Sequence, residues 1–150
     1  MDSAGRGAIM AGAEGIVKSR FLCAPFLLRP VSFAPVLTME HYVLSIDQCH
    51  GRTPFPGVAM FVTEAEKMTL SIVEMAPHSV SPEHSHPHEQ IGYMVEGEFE
   101  FQIGGKSYQV GPGQIWRIPG GVPHKVIAGP HKVRAVDVFY PVRDDMRPPK

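Results

Sequence analysis

The stretch Glu98-Phe99-Glu100-Phe101-Gln102-Ile103 places an apolar side chain at every second position, and Gly104-Gly105 follows it directly. Side chains alternate faces along an extended strand, so Phe99, Phe101 and Ile103 belong to one buried face and the polar residues to the other. A Gly-Gly pair at this point is a two-residue hairpin signal, and residues 106–110 read as the returning strand. The same grammar continues along the chain. Short β-prone runs occupy residues 58–63, 67–75, 91–95, 115–118, 125–128 and 132–140. Gly and Pro number 15 each and fall mostly between these runs. In 67–75, Met68, Leu70 and Ile72 alternate with Thr69 and Ser71 before the run turns apolar on both sides. No apolar period of 3.6 residues persists anywhere, and no repeat of solenoid length is present. Short strands at roughly 8–12-residue spacing with turn signals between them define an all-β chain, a sandwich or a jelly-roll barrel.

Residues 39–150 hold all of this patterning and are expected to form a single domain. Residues 1–38 differ: they begin Gly/Ala-rich and carry Arg6, Lys18, Arg20 and Arg29 against Asp2 and Glu14. Their apolar part, 21–28, is broken by Pro25, too short to span a bilayer, and a poor match to a secretory signal. They read as an extension outside the fold, with a targeting leader or a start at Met39 as the two accounts of it. At the other end, residues 143–150 are charged and Pro-rich and read as a tail. A formal net charge of −1 gives no electrostatic footprint for nucleic acid or an anionic membrane surface. Cys23 and Cys49 read as free thiols, which points to the reducing cytoplasm.

The chemistry concentrates in Pro82-Glu-His84-Ser-His86-Pro-His88-Glu-Gln90-Ile-Gly-Tyr-Met-Val-Glu-Gly97. His84, His86, His88 and Gln90 stand at every second position, so an extended chain can converge several of them on one point. Imidazole is the commonest transition-metal ligand, and the stretch reads as a metal site. A second stretch, Gly113-Gln-Ile-Trp-Arg-Ile-Pro119-Gly-Gly121-Val-Pro-His124, carries another histidine behind a Gly/Pro turn. His41, His50, His78 and His131 read as surface or turn residues.

Together the two stretches resemble the paired motifs of the cupins, small β-barrels that hold a metal inside. His84-x-His86, Gln90 and Gly97 fit the first motif, and Gly113, Pro119, Gly121 and His124 fit the second. The departures are His78 for a Gly, Gln90 for a Glu and Ala128 for an Asn. The resemblance covers roughly residues 58–143 and implies a double-stranded β-helix with His84, His86, Gln90 and His124 as ligands of a divalent transition metal (Ni, Zn, Mn or Fe). His88 has no counterpart in that pattern. With no cysteine among them, these ligands do not suit a closed structural zinc site. Four neutral ligands leave the ion most of its +2 charge, which favours an anionic, oxygen-rich ligand in an open position.

The last strand holds an aspartate among apolar residues. Asp137 alternates with Val133, Ala135 and Phe139, but Val136, Val138 and Tyr140 are apolar too, so alternation leaves the inward face open. A covered carboxylate must be paired or used. The structural account pairs it with Arg117, Arg134 or Arg143. The functional account comes from Asp137-Val-Phe139-Tyr-Pro141-Val-Arg143-Asp-Asp145, which with the histidine motifs resembles the small pectin-degradation cupins of the KdgF type. Those convert 4,5-unsaturated uronates to the linear keto form. The resemblance implies an isomerase-like activity on a carboxylate-bearing sugar, with Asp137 exchanging the proton, Arg143 pairing with the substrate carboxylate and Phe139 lining the pocket. An oxygenase or lyase on the same scaffold and a non-catalytic binding cupin are the alternatives. A homodimer is expected by analogy with other single-domain cupins.

Overall fold

A computed structural model of the chain describes residues 42–148. The expected extension at 1–38, with Cys23, Met39 and His41, lies outside the described residues. Ten strands follow a short 3-10 turn at Ile46–Gln48: β1 His50–Phe55, β2 Val58–Glu64, β3 Thr69–Met75, β4 Val80–His84, β5 Glu89–Glu96, β6 Phe99–Ile103, β7 Lys106–Val110, β8 Ile115–Ile118, β9 His124–Ala128 and β10 Val133–Tyr140. A second 3-10 turn, Asp144–Met146, closes the described chain. All pairings are antiparallel, in a six-stranded sheet ordered β1-β2-β3-β10-β5-β8 and a four-stranded sheet ordered β4-β9-β6-β7.

The chain is therefore the expected all-β jelly roll, and its core lies between the two sheets. Phe99 and Phe101 pack edge-on against Trp116 from the opposite sheet, with ring centroids 5.4 and 5.6 Å away. Met75, Met94, Ile118 and Val133 complete the centre of this cluster. The β6–β7 hairpin turns at Gly104-Gly105 with φ of +56° and +78°, a left-handed pair that the flanking twist demands and that side chains disfavour. On β10, Val133, Ala135, Asp137 and Phe139 are the buried face, which settles the alternation that the sequence left open.

Several expectations change. β1 and β4 were not foreseen, because Pro54 and Pro82 interrupt them. Each lies at the edge of its sheet, where a missing backbone N–H is tolerated. In the first half of β3 the buried side chains are Thr69 and Ser71, while Met68, just before the strand, is exposed and Leu70 and Ile72 lie on the outer face. Ile72 packs there against Cys49, Ala59 and Phe61. Cys49 itself is a free, buried thiol. His50 opens β1, and its Nδ1 is buried without a hydrogen-bond partner. Residues 143–148 are not a loose tail: Met146 is buried against Val62 and Phe139, and the Arg143 N–H donates to Thr69 Oγ1 at 2.9 Å.

Candidate metal centre and ligand cavity

His84 and His124 face each other in the β4–β9 register, and His86 follows in the connection to β5. The Pro119-Gly120-Gly121 turn packs against that connection, with the Gly121 N–H donating to the His86 carbonyl at 2.7 Å. The His84 and His124 ring centroids are 4.3 Å apart and those of His86 and His124 5.0 Å. One ligand atom from each of the three lies within 4.8 Å of the others, so His84, His86 and His124 can hold a metal ion. His88 is not in that group; its Nδ1 is buried and unpartnered.

Local hydrogen bonds aim the three rings. Nδ1 of His84 meets the Pro82 carbonyl at 2.8 Å, that of His86 the His88 carbonyl at 2.9 Å, and that of His124 the Val122 carbonyl at 2.9 Å. Tying Nδ1–H to a carbonyl fixes the tautomer and turns the Nε2 lone pair inward, the usual outer support of a metal-bound imidazole. Burial, with the nearby Arg143 and His124 charges, pulls the His86 imidazole down to about 4, and burial lowers that of His124 as well. Both rings are therefore neutral at neutral pH, as ligation requires.

The six-stranded sheet supplies the opposite wall. Gln90, on β5, holds its Oε1 3.2 Å from His86 Nε2 and donates Nε2–H to Asp137 Oδ1 at 2.6 Å. That second contact fixes which amide atom faces the histidines, since a carboxylate can only accept. With His86 neutral and its Nδ1–H given to a carbonyl, its Nε2 lone pair confronts an amide oxygen. A cation shared between these two acceptors satisfies both, so the donor set fits a divalent metal.

Trp116, Gly92 and Asp137 occupy one row across β8, β5 and β10. Because Gly92 has no side chain, the indole reaches across it and donates Nε1–H to Asp137 Oδ1 at 2.9 Å. A Cβ at position 92 would collide with both Trp116 and Asp137 Oδ1. Asp137 is 8% exposed and has no arginine partner among the described residues. Arg134 pairs with Glu74 and Arg143 with Asp145, so the arginine pairing considered for Asp137 does not occur. Burial raises the Asp137 carboxyl to about 6, against the opposing pull of the Gln90 and Trp116 hydrogen bonds and the Arg143 charge. Both donors converge on Oδ1, which leaves Oδ2 without a hydrogen bond among the described residues.

Phe139 pairs with Gln90 across β10 and β5 and stands edge-on to His86 at 5.5 Å. The Arg143 guanidinium lies over its ring at 5.0 Å. Nε and NH2 of Arg143 donate to the two carboxylate oxygens of Asp145 at 2.9 and 2.8 Å. All of the predicted site residues line one cavity of about 180 Å³ between the sheets. Arg52, Trp116 and Asp145 also line it, and sequence reasoning had assigned them no part in the site.

Against this geometry, the family model described as a cupin domain matches residues 71–139. These residues are a cupin domain. Among solved structures, KdgF from Halomonas sp. is similar at 28% identity, covering 65% of this chain and 90% of that one with a TM-score of 0.61. An RmlC-like cupin from Shewanella frigidimarina is 21% identical over 71% of this chain and 96% of its own, with a TM-score of 0.66. Oxalate decarboxylase from Bacillus subtilis, a protein with Mn(II) centres, is 22% identical. That match covers 69% of this chain but 30% of the decarboxylase, with a TM-score of 0.62. The last two likenesses bear on the cupin fold alone. No curated protein matches the chain by sequence. Among the described residues, no helix is long and apolar enough to cross a membrane.

Proposed function

We propose that the chain is a metal-dependent cupin that opens and ketonises a small 4,5-unsaturated uronate. The observation that carries this reading is the unbonded Oδ2 of Asp137, in one cavity with the histidine triad and Arg143. A divalent ion held by His84, His86, His124 and Gln90 would supply Lewis-acid stabilisation of negative charge on substrate oxygen. In the reaction, the hemiacetal C–O bond breaks to give an aldehyde and an enol. The enol hydroxyl then loses its proton while the neighbouring carbon gains one. Substrate and product are isomers, so no oxidant or co-reactant is consumed.

Asp137 moves that proton through Oδ2, and its burial holds it in a range useful for exchange near neutral pH. Arg143 keeps NH1 free of protein partners among the described residues and presents it to the substrate carboxylate. Phe139 packs beneath the guanidinium and forms the apolar wall. A cavity of about 180 Å³ is smaller than the roughly 300–1,000 Å³ typical of sites for drug-sized ligands, which favours a monosaccharide over a chain of sugars. The likeness to KdgF from Halomonas sp. supports the same substrate class.

The test follows the ultraviolet absorbance of a 4,5-unsaturated galacturonate with metal-loaded and then chelated protein. Accelerated loss of the band that stops on chelation supports the reading. No acceleration by metal-loaded protein contradicts it, and oxygen uptake or binding without turnover would then point to the oxygenase or binding alternatives.

We further propose a cytoplasmic homodimer. The free thiol of Cys49 supports the compartment. The outer face of β5 and β8, where Ile91, Tyr93, Val95 and Ile115 are exposed together beside an open sheet edge, supports the dimer. Sedimentation should give a dimer mass that Tyr93→Glu lowers to that of a monomer. A wild-type monomer rejects the proposal.

A further inference from the structure

Arg52 reaches the cavity from β1, on the far side of the sheet from β5 and β8. Its strand has the burial rhythm of an edge, and Arg52, Pro54 and Phe55 all line the cavity wall. Its NH1 donates to the Asp145 carbonyl at 3.1 Å. Asp145 thus joins two guanidinium groups, binding Arg143 through its carboxylate and Arg52 through its backbone. The Arg143 contact is bidentate, whereas the Arg52 contact is a single bond that leaves most of that fork uncommitted. Both arginine charges help hold the Asp145 carboxyl down, to about 2, so it stays ionised and the trio carries one net positive charge at neutral pH. Asp137, the other carboxylate lining this cavity, forms no ion pair with either arginine among the described residues; its hydrogen-bond partners are Gln90 and Trp116.

We infer that Arg52 is a specificity-determining residue, the second of two guanidinium groups that receive the carboxylate of an acidic ligand. Asp145 is the positioning residue that sets both arginines. The inference rests on the reading of the cavity as a sugar-acid site and adds a binding group that the terminal motif does not contain. Arginine suits the task because its planar fork offers paired N–H groups to a carboxylate. The histidines come from β4, β9 and the connection after β4, whereas the two arginines come from β1 and from the segment after β10. A ligand that spans them needs oxygen donors at one end and a carboxylate at the other, as a uronic acid has.

Trp116 is the only tryptophan of the chain and lines the cavity, so its fluorescence reports occupancy. The experiment titrates metal-loaded wild type, Arg52→Gln and Arg52→Lys with galacturonate, with galactose as its neutral counterpart, and with succinate as a carboxylate that is not a sugar. Arg52→Gln should weaken both carboxylates by about tenfold, the scale of a lost charge-assisted hydrogen bond, and leave galactose unchanged. Arg52→Lys, which keeps the charge, should fall between Gln and wild type, and all three proteins should melt at similar temperatures. Equal affinities of wild type and Arg52→Gln for any carboxylate that binds would overturn the inference. So would a folded Arg52→Lys as weak as Arg52→Gln. Wild type that takes succinate but not galacturonate would sink the uronate reading and leave Arg52 to be judged on succinate. Wild type that takes neither overturns both.

Discussion

At Asp137 the two carboxylate oxygens stand in different surroundings, and that difference decides how a substitution should behave. Oδ1 accepts from Gln90 and Trp116, while Oδ2 has no hydrogen bond among the described residues. Asp137→Asn keeps an oxygen that can accept both bonds, so the fold and the metal content should survive. It loses the group that exchanges a proton, and turnover of the unsaturated uronate should fall by about 100-fold or more, the usual contribution of a positioned acid–base group. Turnover and metal content measured on the same preparation check this, and loss of metal in the variant would contradict the role given to Asp137. The sequence marked this residue because a carboxylate inside an apolar strand needs a reason. It pointed to arginines as partners because charge is visible in a sequence. The actual partners are neutral and come from strands whose register only the folded sheet establishes. Asp145 escaped notice for a related reason: as one acid in a charged terminus, it gave no hint that its carboxylate and its carbonyl would hold different arginines.

Among the elements, the row Trp116–Gly92–Asp137 shows how strand register builds a site. Gly92 is the gap through which the indole reaches the carboxylate. Gly92→Ala should displace one or both side chains, cost about 1–3 kcal/mol as an overpacked core does, and shift the Trp116 emission. Chemical denaturation and fluorescence measure the two effects, and a variant unchanged in both would mean that the row is looser than described. The strand with the cleanest alternation, β6, was legible because burial alone dictates its pattern. Edge strands β1 and β4 were not, since Pro54 and Pro82 hide them and their stability comes from neighbours distant in sequence. β3 misled for a physical reason: its inner residues, Thr69 and Ser71, line the interior beside a polar site, so the more polar half of the alternation is the buried half. Residues 143–148 looked like a tail because most of their anchors, Thr69, Glu64 and Val62, lie far away along the chain.

The molecule as a whole divides the labour between its sheets. The four-stranded sheet and the turn beyond β4 carry the three histidines, and the six-stranded sheet carries Gln90, Asp137, Trp116 and Phe139. Packing one sheet on the other brings His86 within 3.2 Å of Gln90, so the centre exists only in the closed barrel. The motifs named the ligands because their spacing is local, but the cavity between the walls is a property of the whole fold. Metal binding is the claim on which the rest depends. The most direct measurement is elemental analysis of the purified protein after incubation with Ni, Zn, Mn or Fe(II) and removal of free metal, beside His86→Ala and His124→Ala. The account predicts roughly one bound ion per chain, as a single mononuclear site requires, with most of it lost in either variant. A folded wild type that retains none of these metals, or variants that bind as much as wild type, would contradict it.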